Sequence, residues 1–484
     1  MPKLSELTGA ARGGPLPGTD CDIRGLTADS RAVGPGFLFA ALPGTRADGR
    51  SFIDDAVARG AVAVLAPPGT RIDRDDVRLV TDDNPRRQFS LMAARFHPRQ
   101  PGVMVAVTGT NGKTSVAHFA RQIWTRLGLA AASLGTIGVT APGREEKGSL
   151  TTPDPVTLHR TLDELAAEGV THAAFEASSH GLDQFRLDGV HVRAAAFTNL
   201  TRDHLDYHGS MEAYRQAKAR LFTEVMAPGG TAVINADSPE AGYFSAMARA
   251  HGQRVMTVGA AGADIRIVET VATPGGQDIE LSVAGRFYQL HLPLAGSFQA
   301  ANIVAALGLV IATGADPAAA VGTLTTLEEV PGRLQKVATT AAGATIYVDF
   351  AHTPDGLETA LKALRPHVRG RLVVVFGCGG DRDKGKRPLM GAIAAALADT
   401  VFVTDDNPRT ENAAEIRAQV MAACPGATEV DDRGQAIRLA VRGLAGGDLL
   451  VLAGKGHETG QIVGDRVLPF SDPVEARRAV EDLA

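Results

Sequence analysis

Cysteine is scarce in this chain. Its 484 residues hold three, Cys21, Cys378 and Cys424, an odd number set far apart, which excludes a disulfide-stapled scaffold and argues for reduced thiols in a cytoplasm. Long hydrophobic runs are missing too. No stretch of about 18 uninterrupted apolar residues occurs, and Met1-Pro2-Lys3-Leu4-Ser5-Glu6 carries no signal-peptide core. A cytoplasmic location without membrane insertion is therefore expected. Nor is charge gathered by sign: 49 Lys and Arg stand against 54 Asp and Glu, for a net charge of −5. With a pI near 6.2 and no long single-sign runs, nothing suggests a nucleic-acid surface or a membrane-binding patch. Small molecules are the expected partners, and a monomer the expected state.

What is present suffices for a large folded protein. Hydrophobic residues make up 44%, mean hydropathy is zero, and the length suits about three domains. Up to Pro98, short apolar runs such as 36–42 and 61–66 alternate with Gly/Pro turns and a helical segment at Phe52 to Arg59, which reads as a small α/β domain. His97-Pro98-Arg99-Gln100-Pro101-Gly102 reads as a linker. From 99 to 330, strands at 173–176, 194–198 and 231–235 alternate with helical patterns, so a mostly parallel sheet built of βαβ units is expected, with ligands at the C-terminal strand ends. Val330-Pro331-Gly332-Arg333 punctuates the chain again. Strands at 346–349, 372–376, 400–404 and 449–453 then predict a Rossmann-like domain over 331–484. The expected class is α/β in three domains, 1–98, 99–330 and 331–484.

The central series opens on the strongest local signal. Val103-Met104-Val105-Ala106-Val107-Thr108 runs into Gly109-Thr110-Asn111-Gly112-Lys113-Thr114-Ser115, and a helical pattern follows from Val116. Strand, glycine-rich turn and helix make a phosphate loop: backbone N–H groups face an anion, Lys113 reaches a terminal phosphate and Thr114 holds Mg²⁺. Val107 stands where the common pattern has Gly, so this is a variant form. Glu176 ends an apolar strand, where a carboxylate can bind Mg²⁺; capping the next helix is its alternative role. The run Asn199 to His208, which includes His204, is dense in metal-capable side chains. Lys218 lies in an amphipathic pattern and, on spacing alone, reads as solvated surface.

Together with Gly296 to Asn302, Pro331-Gly332-Arg333 and Val348 to Asp355, these motifs resemble the Mur ligases, ATP-dependent amide-forming enzymes that build the stem peptide of bacterial peptidoglycan. The resemblance spans the three domains, with a uridine-binding first, an ATP-binding second and an amino-acid-binding third. Within the family the chain is most similar to members that add the third residue to UDP-N-acetylmuramoyl-L-alanyl-D-glutamate. The resemblance implies that Gly109, Thr110, Asn111, Gly112, Lys113, Thr114, Ser115, Asn302, Arg333 and Asp349 serve ATP. It assigns Thr114, Glu176 and His204 to magnesium, with Lys218 joining them as a CO₂-derived carbamate; Lys113, Glu176, His204 and Lys218 form the implied catalytic set. Ser30, Thr45, Arg46 and Ala47 match the nucleotide-sugar site. Thr151, Thr152, Ser178, Gln184 and Arg186 match positions that hold the muramoyl dipeptide.

In the third domain, Gly379 to Arg387, Asp406-Asn407-Pro408-Arg409 and Gly454-Lys455-Gly456-His457-Glu458 resemble the meso-diaminopimelate-adding type, with Arg382, Asp406, Asn407, Pro408, Arg409, Gly454 and Glu458 as its implied contacts. Arg409 suits a distal carboxylate, which L-lysine lacks. The implied reaction passes through an acyl phosphate on the D-Glu γ-carboxylate, with closure of the third domain about Val330 to Arg333. An L-lysine-adding relative is the nearest alternative; a folylpolyglutamate-type synthetase and a non-catalytic nucleotide-binding regulator are further ones. The tetrapeptide Asp-Asn-Pro-Arg also occurs at Asp83 to Arg86, where the resemblance assigns no amino-acid site and turn chemistry accounts for it.

Overall fold

The computed structural model describes residues 1–9, 20–44, 47–148 and 150–483. Two compact units emerge: Met1–Lys113 with Trp124–Met256 and Gly308–Ala315, and Thr114–Ile123 with Thr257–Leu307 and Asp316–Ala484.

The first unit contains two sheets. Strands β1 (Gly25–Thr27), β2 (Phe37–Ala40), β3 (Ala61–Ala66) and β4 (Arg78–Thr81) pair in parallel, in sequence order. After β4, Asn84 caps the helix Pro85–Phe96 by accepting the Arg87 N–H, with Pro85 in the first turn, where its missing N–H costs nothing. The second sheet is centred on β5 (Val103–Thr108). Five of its six residues are buried, as expected of a strand covered on both faces. On one side of β5 lie β9 (His172–Glu176) and then β6 (Ala131–Gly135); on the other lie β10 (Val192–Phe197) and β11 (Met226–Asn235), all parallel. Antiparallel β7 (Gly138–Ala141) and β8 (Arg144–Lys147) extend the β6 edge. Leu158, Leu162, Phe175, Phe197, Phe222 and Phe244 are in the core beneath this sheet, each at most 2% exposed and each contributing about 1.5–3 kcal/mol of burial.

In the second unit, the end of β12 (Arg254–Gly259) pairs in parallel with β13 (Ile265–Thr273), which continues antiparallel into β14 (Gly276–Val283) and β15 (Arg286–Leu292). The βαβ expectation for 99–330 did not contain this meander. Its strands alternate buried and exposed positions without intervening helices, the pattern of a sheet with one wet face. The other sheet has the order β16-β17-β21-β18-β19-β20. Strands β17 (Thr345–Asp349), β18 (Leu372–Phe376), β19 (Thr400–Val403) and β21 (Leu449–Ala453) are the four foreseen from sequence; β16 (Gln335–Thr339) adds an antiparallel edge and β20 (Thr428–Glu429) a short parallel one. A hairpin, β22 (Gly460–Val463) and β23 (Arg466–Pro469), stands apart from that sheet.

Candidate active site

The phosphate loop leaves the C-terminal end of β5 and enters the helix Lys113–Arg126, which begins three residues earlier than the apolar pattern indicated. Gly109 sits at φ +146°, where a β-carbon would collide with Thr198 Oγ1, so the turn requires glycine. The segment after β10 braces it. Asn199 O accepts the Thr110 N–H and Asn199 Oδ1 the Asn111 N–H, each at 2.9 Å, while Thr198 Oγ1 donates to Asn111 O. Lys113 Nζ donates to Gly109 O at 3.0 Å and Thr110 O at 2.7 Å.

Lys218 donates to the same Gly109 carbonyl at 2.7 Å. It is 1% exposed, and its Nζ stands 4.4 Å from the centre of the Tyr214 ring. The surface reading from spacing is therefore corrected. On the helix Met211–Arg220, Tyr214, Ala217 and Lys218 are buried together, followed by Leu221, which is the i, i+3, i+4, i+7 stripe. Burial, reinforced by the Lys113 charge, holds the Lys218 amine well below its ordinary pKa, and so favours a neutral nucleophilic nitrogen. Tyr214, which the sequence reading left unassigned, also links to the loop through its hydroxyl, 3.1 Å from Thr110 Oγ1.

Glu176 is 2% exposed at the end of β9. Its Oε1 accepts the Thr136 N–H at 2.7 Å and its Oε2 the Thr136 hydroxyl at 3.1 Å. The capping alternative fails, because Ser178 caps the next helix, Ser179–Asp183, through the Gly181 N–H. His204 adopts φ +52° beside Asp203, with its ring 4.8 Å from that of His180; burial lowers its pKa. Burial and the neighbouring His204 and His208 push His180 down to about 4.

Of the positions matched to the muramoyl dipeptide, Gln184 and Arg186 line a cavity of about 580 Å³ in the first unit, together with Arg86 and Arg160 on its polar side and Phe37 and Phe89 on its apolar side. That size suits a small-molecule ligand, and three guanidiniums suit an anionic one. Thr45 and Arg46 fall outside the described residues. Ala47 is exposed, and its carbonyl accepts the Gly44 N–H; Ser30 is buried at the start of a short 3₁₀ turn. Thr152 accepts from Ser178 N and Oγ and donates to Glu176 O, Arg186 donates to Gln184 Oε1 and Thr152 O, and Thr151 pairs with Thr136. Arg86 belongs to the first Asp-Asn-Pro-Arg copy, and its repetition was the only sequence signal that marked it.

In the second unit, Thr114 Oγ1 accepts from Arg333 Nη2 at 3.2 Å. The Arg333 carbonyl accepts from Gln299, whose Oε1 accepts from Asn302, so three of the ATP-matched positions join one relay. The Arg333 guanidinium also stacks 4.8 Å from the Phe350 ring centre. Asp349 uses both carboxylate oxygens on backbone, accepting from Leu334 N at 2.7 Å and Ala351 N at 2.8 Å; it braces the turn that carries Arg333. Burial raises its pKa, opposed by Arg333.

The acceptor motifs cluster at the C-terminal ends of β18, β19 and β21. Asn407 Nδ2 donates to Glu458 Oε2 at 3.0 Å. Arg409 lies at φ +51°, an uncommon backbone state for a non-glycine residue. It is held there by its N–H on Ile462 O, its carbonyl accepting from Gly464 N, and its Nη1 on Gly380 O at 2.8 Å. Pro408 is buried, and Asp406 Oδ2, also buried, has no hydrogen-bond partner and lies 2.8 Å from where a β-carbon on Gly454 would stand. Arg382 is exposed and donates to Asp381 O. Beneath the motifs, Arg433 and Asp472 form an ion pair at 0% exposure, and Arg433 also donates to Ala453 O, one residue before Gly454. These buried partners were not foreseen, since they meet across dozens of residues.

Among the described residues, no group of three or more His, Cys, Asp or Glu side chains gathers to hold a metal ion. Mg²⁺ at a phosphate site usually takes one or two protein carboxylates and completes its shell from water and phosphate oxygens, so a buried carboxylate such as Glu176 and a hydroxyl such as Thr114 are chemically fitting donors.

Sequence patterns of three Mur ligase domains match the chain in order: the Mur ligase family catalytic domain at 22–97, the Mur ligase middle domain at 107–310 and the Mur ligase glutamate ligase domain at 332–456. The chain is similar to the UDP-N-acetylmuramoyl-L-alanyl-D-glutamate--2,6-diaminopimelate ligase of Caulobacter vibrioides, 55% identical over 471 residues that cover 96% of this chain and 97% of that protein. The protein of the same name from Mesorhizobium japonicum is 52% identical, with 100% of both chains covered. A solved structure of a ligase with that name superposes with a TM-score of 0.73 at 33% identity, covering 100% of this chain and 99% of the other.

Proposed function

This chain belongs to the Mur ligase family, and on that premise we propose that it uses ATP to join meso-diaminopimelate to the D-Glu γ-carboxylate of UDP-N-acetylmuramoyl-L-alanyl-D-glutamate. The observation that carries this reading is the 55% identity across 96% of the chain. The chemistry of the acceptor cluster agrees: Arg409, Asn407 and Glu458 offer donors and an acceptor to a distal carbon bearing both carboxylate and amine. Those same residues would leave an L-lysine acceptor with an unmatched guanidinium.

The reaction has two transfers. A γ-carboxylate oxygen of D-Glu attacks the γ-phosphorus of ATP, the bond to the bridging oxygen breaks, and ADP leaves with its electron pair. The amine of the acceptor then adds to the acyl carbon, inorganic phosphate departs and the amine loses its proton, leaving an amide. The chain's part is positioning and electrostatics. Gly109 to Ser115 cradle the phosphates, and Lys113 neutralises charge developing on the transferred group. Asn302 and Arg333 hold the nucleotide side, while Asp349 fixes the turn that aims Arg333. Thr151, Thr152, Ser178, Gln184 and Arg186 hold the dipeptide, with Ser30 and the turn at Thr45, Arg46 and Ala47 at the uridine end. Bound Mg²⁺ supplies further charge neutralisation on the phosphoryl oxygens, held by Thr114, Glu176 and His204 with Lys218 as a carbamate. That last assignment is supported by the buried Lys218 amine: addition of its nitrogen to CO₂, with loss of a proton, converts a group that repels a metal into one that binds it.

The reading includes three substrate domains at 1–98, 99–330 and 331–484, closure about Val330 to Arg333, a monomer, and a cytoplasmic location. No described helix is long and apolar enough to cross a membrane. Phosphate release from ATP is measured with the UDP-linked dipeptide and, in turn, meso-diaminopimelate, L-lysine or no acceptor. Turnover requires the first; equal turnover with lysine refutes the specificity, and release without any acceptor refutes amide formation.

A further inference from the structure

The second unit contains a buried cation outside the residues assigned so far. Lys455 is 0% exposed, in the loop that follows β21. Its Nζ donates to Asn407 Oδ1 at 2.9 Å and Gly460 O at 2.9 Å, and lies 3.4 Å from Glu458 Oε2. An ammonium has three hydrogens and no acceptor, and three acceptors surround this one. A lysine so completely removed from water is retained only where its partners repay the cost.

Asn407 is the informative partner. A carboxamide can present either its oxygen or its NH₂ to a ligand, and packing alone scarcely distinguishes the two. Here Oδ1 is committed twice, to Lys455 Nζ and to the Ile462 N–H at 2.9 Å. The NH₂ must therefore point the other way, where it meets Glu458 Oε2 at 3.0 Å. From these contacts we infer that Lys455 is the positioning residue that fixes the polarity of the acceptor pocket. It locks Asn407 as a donor beside Glu458 as an acceptor, the pairing required by an amino acid whose far end bears a carboxylate and an ammonium on one carbon. Lys455 touches no substrate in this scheme; it acts through Asn407 and Glu458. The inference rests on the acceptor reading given above.

The test uses the full-length enzyme and measures KM separately for ATP, UDP-linked dipeptide and meso-diaminopimelate. Lys455→Met keeps an unbranched apolar stem and removes all three N–H donors; Lys455→Gln returns a carboxamide NH₂ with two. Asn407 Oδ1 then keeps the Ile462 N–H but loses its charge-assisted bond, and the loss of one such bond predicts an acceptor KM raised about 100-fold in the first variant. In the second the rise is about 3- to 10-fold, since one hydrogen bond is restored. KM for ATP and for the dipeptide stays within about twofold, and the preference for meso-diaminopimelate over L-lysine falls with the acceptor affinity. Adding Asn407→Ala to Lys455→Met changes acceptor KM little, because residues acting as one unit are not additive.

An unchanged acceptor KM in either folded variant, three KM values moving together, or additive effects in the double variant each overturn the inference. If Lys455→Met does not fold, Lys455→Gln decides alone: a selective rise supports the role and its absence overturns it. Wild-type enzyme that ignores meso-diaminopimelate overturns the acceptor reading, and this inference with it. Wild-type turnover with unaffected variants overturns the Lys455 role only.

Discussion

Glu176 holds its place because the neighbouring strand ends in a residue with no side chain. A β-carbon on Gly135 would lie 2.5 Å from Glu176 Cδ and 2.6 Å from its Cγ, and closer still to Oε1, against the about 3.5–4.0 Å at which carbon atoms rest. In Gly135→Ala the carboxylate must retreat by about 1 Å, since β6 and β9 are neighbouring strands and yield less than a side chain does. That movement forfeits the bonds from Thr136 N and Thr136 Oγ1. At roughly 1.5–3 kcal/mol for each bond to a charged acceptor, and allowing for partial replacement by water, about 3 kcal/mol of stability is lost. A misplacement of 1 Å in a catalytic group costs on the order of 100-fold in rate. Urea denaturation gives the first quantity and steady-state phosphate release, with all three substrates saturating, the second. Gly102→Ala is the control, because its nearest neighbour to a new β-carbon is 4.0 Å away; both measurements should match wild type. Gly135→Ala with kcat within threefold of wild type would refute the placement of Glu176 in the catalytic machinery.

Three further outcomes follow from buried charge. Lys218→Ala should abolish turnover and Lys218→Arg should not restore it, because a guanidinium forms no carbamate; near-normal activity in either variant removes Lys218 from the mechanism. Asp472→Ala strands Arg433 at 0% exposure, for a loss of about 3–5 kcal/mol in urea denaturation. A loss below about 1 kcal/mol would mean that the pair is not buried in solution. Burial holds His118 down to about 3 and His159 to about 4, from 6.5. The unfolded chain therefore binds more protons than the folded one between about pH 4 and pH 6.5, and stability falls on acidification by up to about 1.4 kcal/mol per pH unit for each histidine. His159→Gln keeps a donor for the Asp188 carbonyl and removes one titration among several depressed histidines, so the loss between pH 6 and pH 5 should shrink by about 1 kcal/mol; an unchanged slope contradicts the burial of a neutral His159.

Much of the architecture was written locally. The β5 run, its glycine turn and Gly-Lys-Thr announce strand, loop and helix without reference to the rest of the chain, and the four strands of the third series needed only their short apolar runs. Lys218 shows where local reading stops. Its neighbours Tyr214, Ala217 and Leu221 mark the inward stripe, and Lys218 falls on it, yet a lysine reads as solvent-facing unless something inside is known to receive its amine. The receiver is the Gly109 carbonyl, 109 residues away. Arg387, Arg433 and Lys455 are hidden for the same reason, being 24, 39 and 48 residues from Glu411, Asp472 and Asn407. A buried charge is invisible in sequence because its justification is a partner that only the fold brings near.

The two copies of Asp-Asn-Pro-Arg make this a controlled comparison. At Asp83 to Arg86, a helix follows: Asn84 turns its oxygen to the Arg87 N–H, Pro85 occupies the first turn, and Arg86 donates to Pro43 O at 2.6 Å while lining the large cavity. At Asp406 to Arg409, no helix starts within the tetrapeptide, and the next one begins only at Ala413. Ile462 N and Lys455 take the asparagine oxygen, and the strand β22 pairs with Arg409 and holds it at φ +51°. The tetrapeptide itself permits both outcomes, since Asn can cap or bridge and Pro is tolerated in either setting. What selects between them is whether a partner captures the Asn oxygen before the backbone does. In the first copy the nearest donor is the chain's own next turn; in the second it is a buried amine and a hairpin from beyond residue 450. Removing that amine should therefore disturb Asn407 and leave Asn84 untouched, although the local sequence around the two is the same.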